Sequence, residues 1–236
     1  MKRSQKPTRR ARSSATPPRT RRTAPARDSR RAIVAAATAE FAASGYDGAT
    51  VDRIAARARV NKAMIYYHFS SKRGLYAHIL HEWFDRLYDR IDSIPAAGGT
   101  AEHQLGLFVE AVVAEGQARL DMPRIMVREI ADGGVHLDPD TVKTLARIPR
   151  KVAAIIERGK KAGALIDVDP FLAYIFLLGP AVFYLVSRPF RETMGQFDLA
   201  SAARLTTADF VSHVRAIVIR GLAAQSPPEK AAGDRA

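Results

Sequence analysis

The stretch Thr50 to Lys72, TVDRIAARARVNKAMIYYHFSSK, leaves few folds open, because it holds two short helical patterns separated by a break of only a few residues. In the first pattern Val51, Ile54, Ala55 and Ala58 fall at i, i+3, i+4 and i+7, a single apolar stripe, and Thr50 stands before it as an N-cap. The β-branched Val60 interrupts the alanine-rich run. Asn61 can then cap a second helix by accepting a hydrogen bond from a backbone N–H two or three residues on. On that second helix Ile65 and Phe69 lie four apart and face inward, while Lys62 with Tyr66, and Ala63 with Tyr67, form the outward rows. Two short helices joined this tightly predict a helix-turn-helix.

The outward face of the second helix carries a lysine, a small residue and two tyrosines, followed by His68. A small residue lets a helix backbone approach base edges, and Lys and Tyr supply donors to base edges and phosphates. The alternative is that these aromatics are core residues. Phe69 fits that alternative by the burial preference of its type. Tyr66 and Tyr67 lie opposite Ile65 and fit DNA contact better.

Gly45-Tyr46 through Thr50, Ile54-Ala55, Val60 and above all IYYHFSSKRGLY (Ile65 to Tyr76) resemble the DNA-binding domain of the TetR family of bacterial transcriptional regulators, over about residues 29 to 80. The resemblance implies that the helix starting at Asn61 is the recognition helix and that the protein binds double-stranded DNA as a homodimer. Carried over by position, it implies contacts from Thr50 and Arg53, with Lys62, Ala63 and Met64 over base edges. It further implies that Tyr66, Tyr67 and His68 touch backbone or bases, and that Lys72 meets a phosphate at the next helix start. Asp52, beside Arg53, and Met64 depart from the residues most common at these places.

The formal charge of +13 is unevenly distributed. Residues 1 to 31 hold 12 Lys or Arg against Asp28 alone, a net of +11, and the other residues carry 25 basic and 23 acidic side chains, a net of +2. Residues 1 to 27 have almost no apolar side chains to offset the entropy of ordering, so a disordered basic tail is expected, with phosphate contact as its natural role. An organellar transit peptide is a rival reading of this Arg- and Ser-rich leader. A signal peptide is disfavoured because no apolar h-region is present. With 47% apolar residues the remainder can bury a core, and without cysteine it has neither disulfides nor thiolate metal sites.

Asp28 or Ser29 can cap a first helix with Ile33, Ala37 and Phe41 in one row, ended by Ser44-Gly45. Ser70 or Ser71 caps a long helix to about Ser93, with the rows Leu75, Ile79, Trp83, Leu87, Ile91 and Tyr76, Leu80, Phe84, Tyr88. Beyond the loop Pro95 to Thr100, further helices are outlined by Leu105 to Val113, by Met122 to Ala131, and by Val142 to Ile156 with a kink at Pro149. Residues Pro170 to Ser187 carry no charge and approach transmembrane length, but Gly179-Pro180 interrupts them and the flanks lack an anchor pattern. A buried helix at a dimer interface is the preferred reading, with no membrane involvement. A last helix carries Phe210, Val211, Val214, Ile217, Val218 and Leu222, and residues 224 to 236 read as a disordered tail.

The expected architecture is therefore all-α, a helix-turn-helix domain over 28–75 followed by a helical domain over 76–223. The resemblance implies that the second domain binds a small-molecule effector and dimerises through its last two long helices, where Phe183, Val211, Val214 and Val218 would pack isologously. Phe108, Val112, Met126, Phe176 and Tyr184 are the candidate effector pocket, an apolar lining suited to a hydrophobic or aromatic molecule. No Gly-rich phosphate loop or metal-ligand cluster of recognised spacing appears, and His78 with His81 lacks a third ligand, so neither cofactor nor enzyme activity is expected. A cytoplasmic, nucleoid-associated repressor is the reading that results. A constitutive or architectural DNA-binding protein without an effector is the alternative.

Overall fold

The computed structural model describes residues 26–197, 201 and 204–224. The two expected tails lie almost wholly outside the described residues. Helix α1 (Ala26–Gly48) buries the predicted row Ile33, Ala37 and Phe41, together with Ala36, and loses helical geometry at Gly45, whose φ of 71° belongs to the left-handed region that glycine tolerates. Helices α2 (Val51–Ala58) and α3 (Lys62–Phe69) follow, and both start at the predicted caps. Thr50 Oγ1 accepts from the Arg53 N–H at 3.2 Å, and Asn61 Oδ1 accepts from the Ala63 N–H at 2.9 Å. Ile54, Ala55, Ile65 and Phe69 close the small core over α1.

Helix α4 (Lys72–Asp92) starts at Ser71, whose Oγ accepts from the Gly74 N–H at 2.9 Å. It buries both predicted rows except Tyr88, which is half-exposed and carries the Arg147 guanidinium 3.5 Å above its ring. This helix runs from the helix-turn-helix into the rest of the chain, and one continuous apolar core follows it from Ile33 to Leu222. Helices α5 (Ala101–Ala118) and α6 (Asp121–Ala131) come next, and α6 lies against α1, with Arg128 Nη2 donating to the Ala43 carbonyl at 3.2 Å.

The predicted kinked helix through Pro149 is in fact two helices, α7 (Pro139–Leu145) and α8 (Arg147–Lys161), which meet at Ala146. The break sits upstream of the proline because a proline ring clashes with the carbonyl four residues before it, here that of Leu145. Helix α9 (Pro170–Val186) continues through Gly179-Pro180 where an interruption is predicted, and bends by 60° into α10 (Arg188–Met194). Among the described residues no single helix is long and apolar enough to cross a membrane.

The last helix, α11 (Thr207–Val214), starts in a capping box formed by Thr206 and Asp209. It continues through a π-helical turn (Arg215–Ile219) and one more turn (Arg220–Leu222). The Ile166 N–H donates to the Leu222 carbonyl, and the Ala224 N–H to the Ala164 carbonyl, both at 2.9 Å, which ties this end to the α8–α9 connection. No strand is formed among the described residues beyond the isolated Leu165–Ala223 bridge.

Candidate nucleic-acid interface

Burial of Ile65 and Phe69 fixes the rotation of α3, and the other rows then have to face solvent. Tyr66 is 50% exposed and Tyr67 77% exposed, so the core alternative for these rings is excluded. Lys62 and Ala63 are exposed beside them, and Thr50 and Arg53 are exposed on α2. Met64 departs from this set: it is half-buried and packs on the core, so its side chain is only partly available.

His68 and Lys72 are half-buried and already engaged within the chain. His68 Nε2 lies 3.1 Å from Ser29 Oγ, which pins the end of α3 to the start of α1. Lys72 Nζ donates to the Ala49 carbonyl at 3.0 Å and sits 4.3 Å above the Tyr46 ring. Asp52, which looks unfavourable beside DNA, pairs with Lys62 at 3.2 Å across the two helices. Both partners are exposed, so the pair contributes little to stability and can open at small cost.

Three features escaped the sequence reading. The α2–α3 turn places Arg59 in the left-handed region at φ 56°, where its N–H reaches the Ala55 and Ala56 carbonyls. Gly74 permits a close approach of α4 to the Phe69 carbonyl, since a Cβ at that position would stand 2.2 Å from the oxygen. Glu40 on α1 is only 4% exposed and pairs with Arg53 Nη2 at 2.7 Å and, more loosely, with Arg57 Nη1 at 3.9 Å. Glu40 had a readable signal, an acid seven residues after Ile33 and three after Ala37 on an otherwise apolar stripe.

Behind the helix-turn-helix, a buried polar cluster joins α1 and α4 to the segment after α6. Glu129 accepts from Tyr76 Oη at 2.8 Å and from the His136 N–H at 2.9 Å, and the His136 ring stacks on Tyr46 at 4.4 Å. Burial first, and then the hydrogen bond to Glu129, hold the Tyr76 phenol far above its ordinary pKa, so it remains a donor.

Four of the five candidate effector residues are buried in the core and the fifth is exposed. Phe108, Val112, Met126 and Tyr184 are packed in the core of α5, α6 and α9, whereas Phe176 is 64% exposed on the outer face of α9. A groove of about 1020 Å³ lies elsewhere, between α1, α4 and the α5–α6 junction, lined by residues such as Arg31, Val34, His78, Glu82, Arg119 and Asp121. His78 and His81 have separate partners, His78 with Arg30 at 3.1 Å and His81 near Asp138 at 3.9 Å. Burial, followed by the Arg30 charge, holds the His78 imidazole below its usual pKa.

A capped two-helix motif on a three-helix core, with a polar aromatic outer row, defines a helix-turn-helix DNA-binding unit. The profile of bacterial regulatory proteins of the tetR family matches residues 33–79. The HTH-type transcriptional repressor SCO4008 of Streptomyces coelicolor is 32% identical over 146 residues, spanning 62% of this chain and 72% of that one. The biofilm operon icaADBC negative transcriptional regulator IcaR of Staphylococcus aureus is 45% identical over 47 residues, spanning 20% of this chain and 25% of IcaR. Among solved structures, a tetR-family regulatory protein from Rhodococcus RHA1 superposes with a TM-score of 0.68 at 20% identity, over 86% of this chain and all of that one. The fatty acid degradation regulator FadR of Bacillus halodurans superposes with a TM-score of 0.65 at 21% identity, over 86% and 98% of the two chains. The chain belongs to the TetR family. It is a DNA-binding transcriptional regulator rather than an enzyme.

Proposed function

We propose that the protein is a homodimeric repressor that docks α3 in the major groove of a palindromic operator and is released by a small hydrophobic or aromatic effector. The observation that carries the DNA half of this reading is the outward row of α3, where Lys62, Ala63, Tyr66 and Tyr67 stand exposed on a helix held rigidly by Ile65 and Phe69. Thr50 and Arg53 flank that row from α2. Met64, His68 and Lys72 act from its edge, and the half-burial of these three suits backbone or positioning roles better than base reading. Repression is supported by the names of the two relatives, a transcriptional repressor and a negative transcriptional regulator.

The functional division follows α4, with DNA binding over 28–75 and effector binding and dimerisation over 76–223. The outer face of α9 supplies the dimer contact, since Leu172, Phe176 and Phe183 form an exposed apolar stripe with Gly179 between them. Two-fold symmetry then requires half-sites about 34–36 Å apart, or a multiple of that spacing. The setting is the cytoplasm, on chromosomal DNA.

Tyr66→Ala and Lys62→Ala are each expected to weaken operator binding by about tenfold while leaving the dimer and its melting temperature unchanged, since both side chains are exposed. Fluorescence anisotropy on a labelled duplex and calorimetry read the two quantities. Wild-type affinity in both variants would remove α3 as the recognition helix.

The constitutive reading has one observation in its favour, the close burial of Phe108, Val112, Met126 and Tyr184. An effector has to open that core, and it can release DNA only by binding the DNA-incompetent arrangement better than the competent one. Titrating a panel of small aromatic and long-chain apolar molecules into the protein–DNA complex separates the two readings. Saturable release supports an effector, and retention of DNA throughout supports constitutive binding.

A further inference from the structure

We infer that Glu40 is a positioning residue for DNA binding, a buried carboxylate that holds Arg53 and Arg57 together as a two-guanidinium phosphate clamp. The inference rests on the reading of α2 and α3 as the DNA interface. Arg53 and Arg57 lie four apart on α2, so both project from one face. Their side chains are more than half exposed, at 57% and 54%, while that of Glu40 is 5% exposed. The charge that anchors them is therefore buried below a surface on which both arginine side chains stay exposed.

The geometry suits a clamp better than a closed ion pair. Glu40 Oε1 is 2.7 Å from Arg53 Nη2 but off the line of a hydrogen bond, and Oε2 is 3.9 Å from Arg57 Nη1. Arg53 Nη1 also donates to the Gly48 carbonyl at 3.3 Å, a second restraint on the same guanidinium. A guanidinium has five donors in a rigid fork, so both arginines retain N–H groups for a phosphate after these contacts. A buried carboxylate left without its cations would be costly, and among the described residues Arg53 and Arg57 are the cations paired with it, which keeps the two gathered over it even without DNA.

Charge alone predicts the opposite sign from positioning. Removing an acid near phosphates strengthens binding to any duplex through simple electrostatics. If Glu40 positions the arginines, Glu40→Gln weakens binding to the selected operator by about tenfold, leaves affinity for an unrelated duplex of equal length unchanged or higher, and lowers the salt slope on the operator by about one to two. The measurement is anisotropy titration of the full-length protein at several salt concentrations, with Arg53→Ala and Glu40→Gln/Arg53→Ala completing a double-mutant cycle. Wild-type or tighter operator binding by Glu40→Gln, with an unchanged slope, overturns the inference.

If Glu40→Gln does not fold, Glu40→Asp carries the test. It keeps the buried charge but withdraws it by one methylene, so wild-type operator affinity and slope in that variant also overturn the inference. Tyr66→Ala in the same series distinguishes the two levels of the argument. Unchanged binding there defeats the interface reading itself, whereas weakening by Tyr66→Ala together with an inert Glu40→Gln defeats only the role of Glu40.

Discussion

Gly74→Ala is expected to destabilise the protein by about 3 kcal/mol, the upper range for forcing a methyl into a packed site, and to lower its melting temperature by roughly 5–10 °C. The added Cβ would meet the Phe69 carbonyl oxygen at 2.2 Å and the carbonyl carbon at 3.4 Å, and backbone atoms cannot rotate away as a side chain can. The corner is already constrained from three sides. Ser70 holds φ at 64°, the Ser71 N–H donates to the Phe69 carbonyl at 2.7 Å, and Ser71 Oγ caps the Gly74 N–H. Relief therefore requires α4 to tilt away from α3, and operator affinity should fall along with stability. Gly221→Ala is the control, because a Cβ there meets nothing within 4 Å. Calorimetry on both variants gives the answer, and a Gly74→Ala protein that melts within a degree of wild type would contradict the close approach of α4 to Phe69.

The second large effect is expected from Phe183→Glu. Phe183 is 70% exposed near the end of the apolar stripe on α9, and Ile217 on the last helix is exposed to the same degree. In a dimer built on this face, a carboxylate at position 183 would be buried without a partner, and both copies would carry it across the two-fold axis. A truncated hot spot with an uncompensated charge costs about 3–5 kcal/mol, which raises the dimer dissociation constant by roughly two to three orders of magnitude. Sedimentation at micromolar concentration should find monomer, helicity should be retained, and binding to a two-half-site duplex should collapse. A stable Phe183→Glu dimer would move the interface elsewhere.

Val214 was expected to share that interface, and the structure corrects this. Val214 is buried in the chain's own core, so a polar residue there would unfold the protein rather than dissociate it. Immediately after Val214 the π-helical turn at Arg215–Ile219 inserts one extra residue and shifts the register of the positions that follow. The predicted row Val211, Val214, Val218 assumes a constant 3.6-residue repeat. Val214 is buried before the turn, Ile219 at its end and Leu222 beyond it, while Ile217 within it is turned outward. The turn coincides with Arg215, whose Nη2 reaches Glu110 at 2.6 Å, a contact over 105 residues that no local pattern reveals.

The features that could be read from sequence share a physical property: they are decided within one or two helical turns. The caps at Thr50, Asn61 and Ser71 each satisfy an N–H two or three residues away, and all three form. The two rows of α4 and the inward pair Ile65 and Phe69 follow from helical periodicity alone. Features set by distant contacts were hidden. Whether Met126 and Phe176 share a cavity depends on how α6 and α9 pack, and their residue types are equally at home in a core or on an interface. Glu40 could have been found, because an acid on a buried stripe demands a partner, but the identity of that partner required the fold.

Sequence-specific binding by a symmetric dimer through α3 can be read out by selecting bound sequences from random duplex DNA with the purified full-length protein. The selection belongs at about 0.15 M salt, where exposed charges more than about 8 Å apart are largely screened and the basic N-terminal residues contribute least to enrichment. The expected result is a palindromic consensus whose half-sites are centred one helical turn apart, or a multiple of it, and whose enrichment disappears in Tyr66→Ala. Retention of DNA with no sequence enriched, or a consensus unaffected by Tyr66→Ala, would contradict it.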